Sequence, residues 1–228
     1  MTDEPLRIVF VLFDDLTALD FIGPWEVLTR LPGARVTVGS QKGGSIGARN
    51  GVFFNGTTRL AEVHRCDLIC VPGGPGTAAA MADQNLLREL RRLAAEARYV
   101  TSVCTGSLVL GAAGLLKGKR AACHWASRQF LPQFGAIPDE GRVVRDGNII
   151  TGGGVTAGID FALSLFAEIA GQEAAEFTQL ALEYAPEPPF HAGSPAEAPP
   201  GLVERYREQT TKWTEMRAEA VKAAASRL

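Results

Sequence analysis

Cys104 stands where a short apolar run ends and a helix-forming run begins. Residues 99–103 are β-branched and apolar like a buried strand, and residues 105–116 are rich in Leu, Ala and small side chains like a buried helix. A tight strand-to-helix turn leaves its side chain partly exposed, and the helix amides and dipole stabilise an anion there. These surroundings would lower the pKa of the Cys104 thiol and supply a thiolate nucleophile. The alternative is that Cys104 only fills the core, as free cysteines commonly do.

Asp20 is the carboxyl group that the sequence places best for work beside this thiol. Residues 6–13 predict a buried parallel strand, and residues 19–28 predict a helix that begins just beyond it. Open α/β sheets bind their ligands at the carboxyl ends of strands, so Asp20 could act there as an acid or a base. Alternatively, Asp20 only caps the helix.

Three glycines follow another predicted strand, residues 66–71. Gly73, Gly74 and Gly76 would let backbone amides approach a substrate without side chains in the way. Such amides can form a site for an oxyanion. The same glycines could instead form nothing more than a tight turn.

A similar junction follows residues 149–151, where Gly153 and Val155 precede a predicted helix with Thr156 as its N-cap. We expect Gly153 and Val155 to contact the substrate. The junctions at Gly73, Cys104 and Gly152 would then meet in one crevice.

His124 follows the predicted strand at residues 120–123, and Trp125 begins a predicted helix that extends to residue 134. A histidine at the end of a strand can act as an acid, a base or an orienting group. A purely structural histidine fits the sequence equally well, so His124 and Trp125 are candidates for a supporting role.

Strands and helices alternate along the chain, which predicts an α/β fold with a mainly parallel sheet flanked by helices. Residues 6–13, 67–71 and 99–103 are expected to be adjacent central strands, with a shorter strand at 35–39. Residues 143–150 predict a hairpin about an Asp-Gly turn.

Two parts of the chain differ in composition. Residues 1–185 are expected to form one α/β domain, and six of the 13 prolines fall between Pro186 and Pro200, which is typical of an extended linker. Residues 202–228 predict an amphipathic helix with Trp213 and Met216 on its apolar side. This helix could cover the same domain or help to hold a homodimer.

The overall composition excludes several classes of protein. The chain has 228 residues, 46% of them hydrophobic, and a formal charge of −2, so it can bury a large core and is a poor candidate for binding nucleic acid. Its four cysteines and three histidines lack the spacing of a disulfide scaffold or a metal site. The acidic N-terminus fits neither a signal peptide nor a membrane span, and the cytoplasm is the expected location.

Several motifs together resemble the ThiJ/PfpI superfamily and, within it, the bacterial isonitrile hydratases. The most specific pair is Val-Cys-Thr-Gly-Ser at 103–107 with Thr-Gly-Gly-Gly at 151–154. Further matching motifs lie at residues 19–24, 72–74, 98–116, 124–125, 143–148, 151–161, 183–186 and 192–195.

The resemblance implies a flavodoxin-like domain, similar to the class I glutamine amidotransferases, that needs no metal or organic cofactor. Its cysteine nucleophile falls on Cys104, its acidic partner on Asp20 and its threonine after the nucleophile on Thr105. Superfamily proteases carry histidine where Thr105 stands, which argues against proteolysis. Related transcriptional regulators add a helix-turn-helix module that is not found in this sequence.

The implied reaction hydrates an isonitrile to an N-substituted formamide. A Cys104 thiolate would add to the isonitrile carbon while Asp20 supplies a proton, and water would then release the product from the thioimidate. Thr105 would hold the water or the substrate. A ligand-sensing or redox-sensing domain and a glyoxalase-type hydratase remain open as alternatives.

Overall fold

A computed structural model describes residues 5–228 of the chain. The start of the chain, on which the predicted absence of a signal peptide depends, lies mostly outside the described residues. The elements follow in the order β1 (Arg7–Leu12), α1 (Ala18–Leu28), β2 (Arg35–Ser40), β3 (Gly44–Gly47), β4 (Phe53–Arg59), β5 (Leu68–Val71), α2 (Thr77–Ala82), α3 (Gln84–Ala94), β6 (Tyr99–Val103), α4 (Gly106–Ala112), β7 (Arg120–Ala121), β8 (Ile137–Pro138), β9 (Val143–Asp146), β10 (Ile149–Gly152), α5 (Ala157–Ala170), α6 (Gln172–Ala181) and α7 (Leu202–Ala225). Short 3₁₀ helices lie at Arg49–Gly51, Leu60–Glu62 and Arg128–Phe134.

Eight strands form one sheet in the order β3-β4-β2-β1-β5-β6-β10-β9. The strands from β4 to β10 in this order pair in parallel, and β3 and β9 are antiparallel at the two edges. The predicted α/β fold is confirmed, and β1, β5 and β6 are adjacent central strands as expected.

The central strands form because their sequences are apolar on both faces. Residues 8–12 of β1 are each at most 1% exposed, and β5 and β6 are buried throughout. Continuous apolar runs of this kind suit parallel strands covered by helices on both sides. One group of helices contains α1, α5 and α6, and a second contains α2, α3, α4 and α7. Because β1, β5, β6 and β10 are parallel, their carboxyl ends lie at one edge of the sheet.

Some element boundaries differ from the predictions. The helix predicted to begin at Trp125 is a 3₁₀ helix over Arg128–Phe134 that contains Pro132, whose ring nitrogen has no hydrogen to donate. The strand predicted at 120–123 is only two residues long and pairs with β8 outside the main sheet. The predicted hairpin forms, with Gly147 and Asn148 between its strands.

The C-terminal helix α7 packs on its own chain. It contacts α2, α4 and the 3₁₀ helix Arg128–Phe134, and Val221 and Ala224 are buried there. Residues 186–200 precede it without a helix or strand. Within residues 5–228, no helix has the length and apolar character needed to cross a membrane.

Candidate active site

Cys104 occupies the turn between β6 and α4, as the sequence predicts. Its φ of 58° lies in the left-handed region, which is strained for any residue with a side chain. The Cys104 amide donates to the carbonyl of Gly152 at the end of β10, at 3.0 Å. The turn also packs tightly on β5, since a Cβ added to Gly106 would lie 2.2 Å from the Val71 carbonyl oxygen. Its neighbours thus fix the position of Cys104.

Asp20 lies in the first turn of α1 and is fully buried. Its Oδ2 accepts a hydrogen bond from the Gly73 amide at 2.9 Å. The Cys104 thiol lies close enough to the Asp20 carboxyl group for each group to shift the pKa of the other. Its Oδ1 has no hydrogen-bond partner by geometry among residues 5–228. The N-cap position of α1 is Thr17, and Asp20 bonds to a distant loop, so the helix-cap interpretation is wrong.

The environment of Asp20 favours its protonated form. Burial raises the pKa of this carboxyl group to about 7, although the Gly73 hydrogen bond and the contact with Cys104 lower it in part. Asp20 can therefore gain or lose a proton near neutral pH.

The Cys104 thiol differs from the prediction. The side chain is only 5% exposed, and burial, followed by the charges of Asp20 and Cys123, raises its pKa well above the ordinary value. The hydrogen bond from the Thr105 amide lowers the pKa but does not outweigh burial. The predicted partly exposed, low-pKa thiolate is wrong, because desolvation dominates over the helix N-terminus. The resting group is a neutral thiol beside a carboxyl group that can accept its proton.

Thr105 joins the cysteine turn to the loop after β5. Its Oγ1 accepts from the Gly74 amide at 2.9 Å and lies 2.9 Å from Oγ1 of Thr77. Thr77 Oγ1 donates to the Gly74 carbonyl at 2.6 Å, so the hydroxyl hydrogen of Thr105 points to Thr77. The Thr105 hydroxyl is thus a positioning group, and Thr77, to which the sequence analysis gave no role, belongs to the same network.

Three glycine amides, those of Gly73, Gly74 and Gly76, were predicted to face an oxyanion, and Gly153 was expected to contact the substrate; all four amides have other acceptors. The Gly73 amide donates to Asp20 Oδ2, and the Gly74 amide donates to Thr105 Oγ1. The Gly76 amide donates to the Asp15 carbonyl, and the Gly153 amide donates to the Arg142 carbonyl. These hydrogen bonds do not support the predicted oxyanion role of the Gly73, Gly74 and Gly76 amides, since each already holds a neighbouring group in place.

Gly73 is needed for its lack of a side chain. An added Cβ would lie 2.5 Å from the Thr105 amide nitrogen and 3.0 Å from Asp20 Oδ2. The close approach of these groups to the loop after β5 brings Asp20, Cys104 and Thr105 together.

Cys104 opens onto a cavity of about 410 Å³. Thr105, Gly74, Val155 and His124 also line it, whereas Asp20, Gly73, Gly76, Gly153 and Trp125 do not. One wall comes from α7, with Tyr206, Gln209, Thr210, Trp213, Thr214 and Arg217. These wall residues could not be predicted from the sequence, because helical periodicity shows an apolar stripe without showing what it covers.

A sequence model of the DJ-1/PfpI family matches residues 6–168, which is most of the chain. The chain belongs to the DJ-1/PfpI family. The matched region contains β1 to β10 and most of α5, and hence Asp20, Gly73, Cys104 and Thr105.

Relatives of this DJ-1/PfpI protein extend the similarity to α7. The isonitrile hydratase of Pseudomonas putida is 49% identical over 223 residues, 98% of each chain. The crystal structure of a THiJ/PfpI family protein from Pseudomonas syringae has a TM-score of 0.92 at 40% identity, covering 95% of this chain and 90% of that chain. The HTH-type transcriptional regulator CdhR of Pseudomonas aeruginosa is 32% identical over 176 residues, which are 75% of this chain and 46% of the regulator.

His124 and Trp125, in the DJ-1/PfpI domain, lie beside the ring of Tyr206 in the α7 wall. Burial, and then the charge of Arg217, lower the pKa of His124, which favours a neutral imidazole in the cavity. The Trp125 and Tyr206 ring centroids are 5.0 Å apart, so Trp125 supports the wall from outside the cavity. In the described part of the chain, no cluster of three His, Cys, Asp or Glu side chains could hold a metal ion.

Proposed function

We propose that the protein is an isonitrile hydratase, which adds water to an organic isonitrile to give an N-substituted formamide. The observation that carries this proposal is the 49% identity to the Pseudomonas putida isonitrile hydratase over 98% of both chains. The Cys104–Asp20 pair beside a cavity supplies a nucleophile and a proton carrier suited to that reaction.

The first step forms a bond between sulfur and carbon. Cys104 passes its proton to the Asp20 carboxylate, and Asp20 delivers that proton to the isonitrile carbon through the oxygen that lacks a hydrogen-bond partner. The sulfur bonds to the same carbon, which gives the thioimidate RN=CH–S–Cys104. Both the hydrogen and the sulfur come from the thiol, so no outside proton is consumed.

The second step releases the product. Asp20, again a carboxylate, takes a proton from water as the water oxygen attacks the thioimidate carbon. Asp20 passes the proton that it took from water to the substrate nitrogen. The C–S bond then breaks as the added hydroxyl becomes the formamide carbonyl, and the proton of that hydroxyl returns to the sulfur. One isonitrile and one water are consumed, and one formamide is formed.

The surrounding groups keep this pair in place. Gly73 holds Asp20, the Thr105 amide faces the Cys104 sulfur, and the Thr105 and Thr77 hydroxyls fix the loop between them. Positioning of this kind shortens the path between the thiol, the carboxylate and the substrate carbon.

We also propose that the protein forms a homodimer in the cytoplasm. Trp213 and Met216 on α7 are about half exposed, and a second subunit would cover them. The cytoplasmic location is supported by cysteine spacing that does not suit a secreted disulfide scaffold.

Incubation of the purified, metal-free protein with cyclohexyl isocyanide tests the proposed activity. Mass spectrometry should detect N-cyclohexylformamide in amounts far above the number of enzyme molecules, and Cys104→Ala should abolish its formation. Hydration of an α-ketoaldehyde without any hydration of isonitriles would instead support a glyoxalase-type hydratase.

A further inference from the structure

The cavity beside Cys104 carries positive charge without a matching carboxylate. Arg49 and Arg217 are among its lining residues, and none of the described lining residues is Asp or Glu. Asp20 lies behind Cys104 and is not part of the lining.

Arg217 is held in a fixed direction on α7. Its Nη1 donates to Oγ of the fully buried Ser127 at 2.9 Å. No ion pair joins its guanidinium group to a carboxylate within residues 5–228. Its remaining N–H groups are therefore available to an anionic group in the cavity.

Arg49 lines the cavity from the 3₁₀ helix after β3, whereas Arg217 lines it from α7. Its backbone amide donates to the Leu16 carbonyl at 2.9 Å, which anchors this turn beside α1. Its side chain has no hydrogen-bond or ion-pair partner in the part of the chain that the structure describes. By contrast, eight other described arginines pair with carboxylates, namely Arg7, Arg30, Arg59, Arg92, Arg120, Arg128, Arg142 and Arg145.

The rest of the lining mixes apolar side chains with many polar ones. Small-molecule cavities are usually lined by apolar side chains with a few polar groups. Here the apolar side chains are few, and hydroxyl or amide groups are supplied by Thr17, Thr105, Ser127, Tyr206, Gln209, Thr210 and Thr214. The hydroxyls of Thr105, Ser127, Thr210 and Thr214 already have partners within the chain. A pure hydrocarbon isonitrile would still leave the Arg49 guanidinium group and the remaining N–H groups of Arg217 without partners, which is costly once water is displaced.

We infer that the physiological substrate is an isonitrile that also carries a carboxylate, bound by Arg217 and Arg49 while its isonitrile carbon lies at Cys104. This inference rests on the proposed hydratase activity and names its substrate class. The planar guanidinium fork matches a carboxylate with two parallel hydrogen bonds, which gives the bound molecule one orientation.

A matched pair of substrates tests this substrate class. Isocyanoalkanoates of increasing chain length and their neutral methyl esters are compared by kcat/KM for formamide formation. At the best chain length the carboxylate should be favoured roughly 10- to 100-fold over its ester, the scale of hydrogen bonds to a charged group.

Variants locate the source of this preference. Arg217→Gln and Arg49→Gln should each reduce the ratio of carboxylate to ester kcat/KM towards one, and Arg217→Lys should keep part of it. The control Arg205→Gln removes a guanidinium group from the same helix outside the cavity and should leave the ratio unchanged.

The outcomes separate the inference from the proposed function. The wild-type protein could hydrate the esters and cyclohexyl isocyanide with the same kcat/KM as the carboxylates. The hydratase activity would then stand and the inferred substrate class would be wrong, whether or not the variants fold. If no isonitrile is hydrated, the proposed function itself fails and the inference fails with it.

Discussion

Cys104 and Asp20 form a buried pair of titratable groups. Burial disfavours charge on both groups, so the carboxyl pKa is raised to about 7 and the thiol pKa is raised well above its ordinary value. In the proposed reaction the thiolate therefore forms when Asp20 takes the thiol proton, because the resting thiol is neutral. The titration near neutral pH belongs to the pair as a whole.

We expect kcat/KM to rise with pH through about 7 and then to level off. Below that pH both groups carry protons, so no base can take the thiol proton, whereas above it the Asp20 carboxylate is available. Rates of formamide production with a neutral isonitrile, measured from about pH 5 to about pH 9, check this. A rate that does not change over this range would contradict the assignment.

Asp20→Asn should lower activity by at least ~100-fold, the usual scale of acid–base catalysis, yet raise stability at alkaline pH. The folded-state pKa of about 7 exceeds the ordinary carboxyl value of 3.8 that applies to the unfolded chain. The stabilisation from a protonated Asp20 is therefore full below about pH 4 and is lost as the pH rises through 7. Between pH values below about 4 and pH values well above 7, the free energy of unfolding of the wild type should therefore fall by roughly 4 kcal/mol through Asp20.

Urea unfolding near pH 5 and near pH 8 measures the predicted change in the free energy of unfolding. The stability gain of Asp20→Asn over the wild type should be larger at the higher pH. Asp15→Asn, at an exposed neighbouring carboxylate, is the control and should show no such change. An equal effect at both pH values would mean that Asp20 is not protonated in the folded protein.

Iodoacetamide should label Cys104 before Cys66, Cys70 and Cys123, because only Cys104 lines the main cavity. Its labelling rate should still be low at neutral pH and should increase above it, since the thiolate is the reactive form. Peptide mapping after timed labelling gives both results. Cys104→Ser should fold normally and be inactive, and a labelling rate independent of pH near neutrality would show a preformed thiolate.

At the scale of elements, the loop after β5 sets the spacing of the site. Gly73→Ala should reduce kcat/KM roughly 100-fold, because its Cβ would displace Thr105 or Asp20. Gly154→Ala, in the loop after β10, is a matched control with open space around the added atom and should keep most of the activity. Circular dichroism would confirm that both variants fold. Similar activity in the two would show that the Gly73 contact does not position the site.

The sequence predicted those elements whose formation depends on local pattern. The apolar runs of β1, β5 and β6 required burial on two faces, and Cys104 stood at a junction of strand and helix signals. Partners distant in the chain could not be predicted, because the Gly73 and Gly74 amides bond to Asp20 and Thr105 only after the strands align. The raised thiol pKa was missed for the same reason, since it depends on packing around the turn.

For the whole molecule, we expect Met216→Glu to weaken a homodimer held by α7. The Met216 side chain is 49% exposed and does not line the cavity beside Cys104. The main effect of the substitution is therefore to place a charge in the proposed interface. Phe177→Glu, at an exposed position of α6, is the matched control, and light scattering over a concentration series gives the mass. If only the Phe177 variant becomes monomeric, α6 rather than α7 holds the dimer.

Deleting α7 would be a poorer test of association. Val221 and Ala224 are buried in the chain's own core, and the residues from Tyr206 to Arg217 form a cavity wall. Truncation would therefore change the fold and the site together.

The position of α7 in the chain also sets an order of events during translation. The sheet and the Cys104–Asp20 pair lie before residue 153, whereas the cavity wall begins at Tyr206. Because chains fold from the N-terminus as they leave the ribosome, Cys104 and Asp20 can be brought together while the cavity still lacks its α7 wall. A nascent chain at that stage holds the Cys104–Asp20 pair without the wall, and under the proposed function it could select substrates only after α7 has been synthesised and has docked.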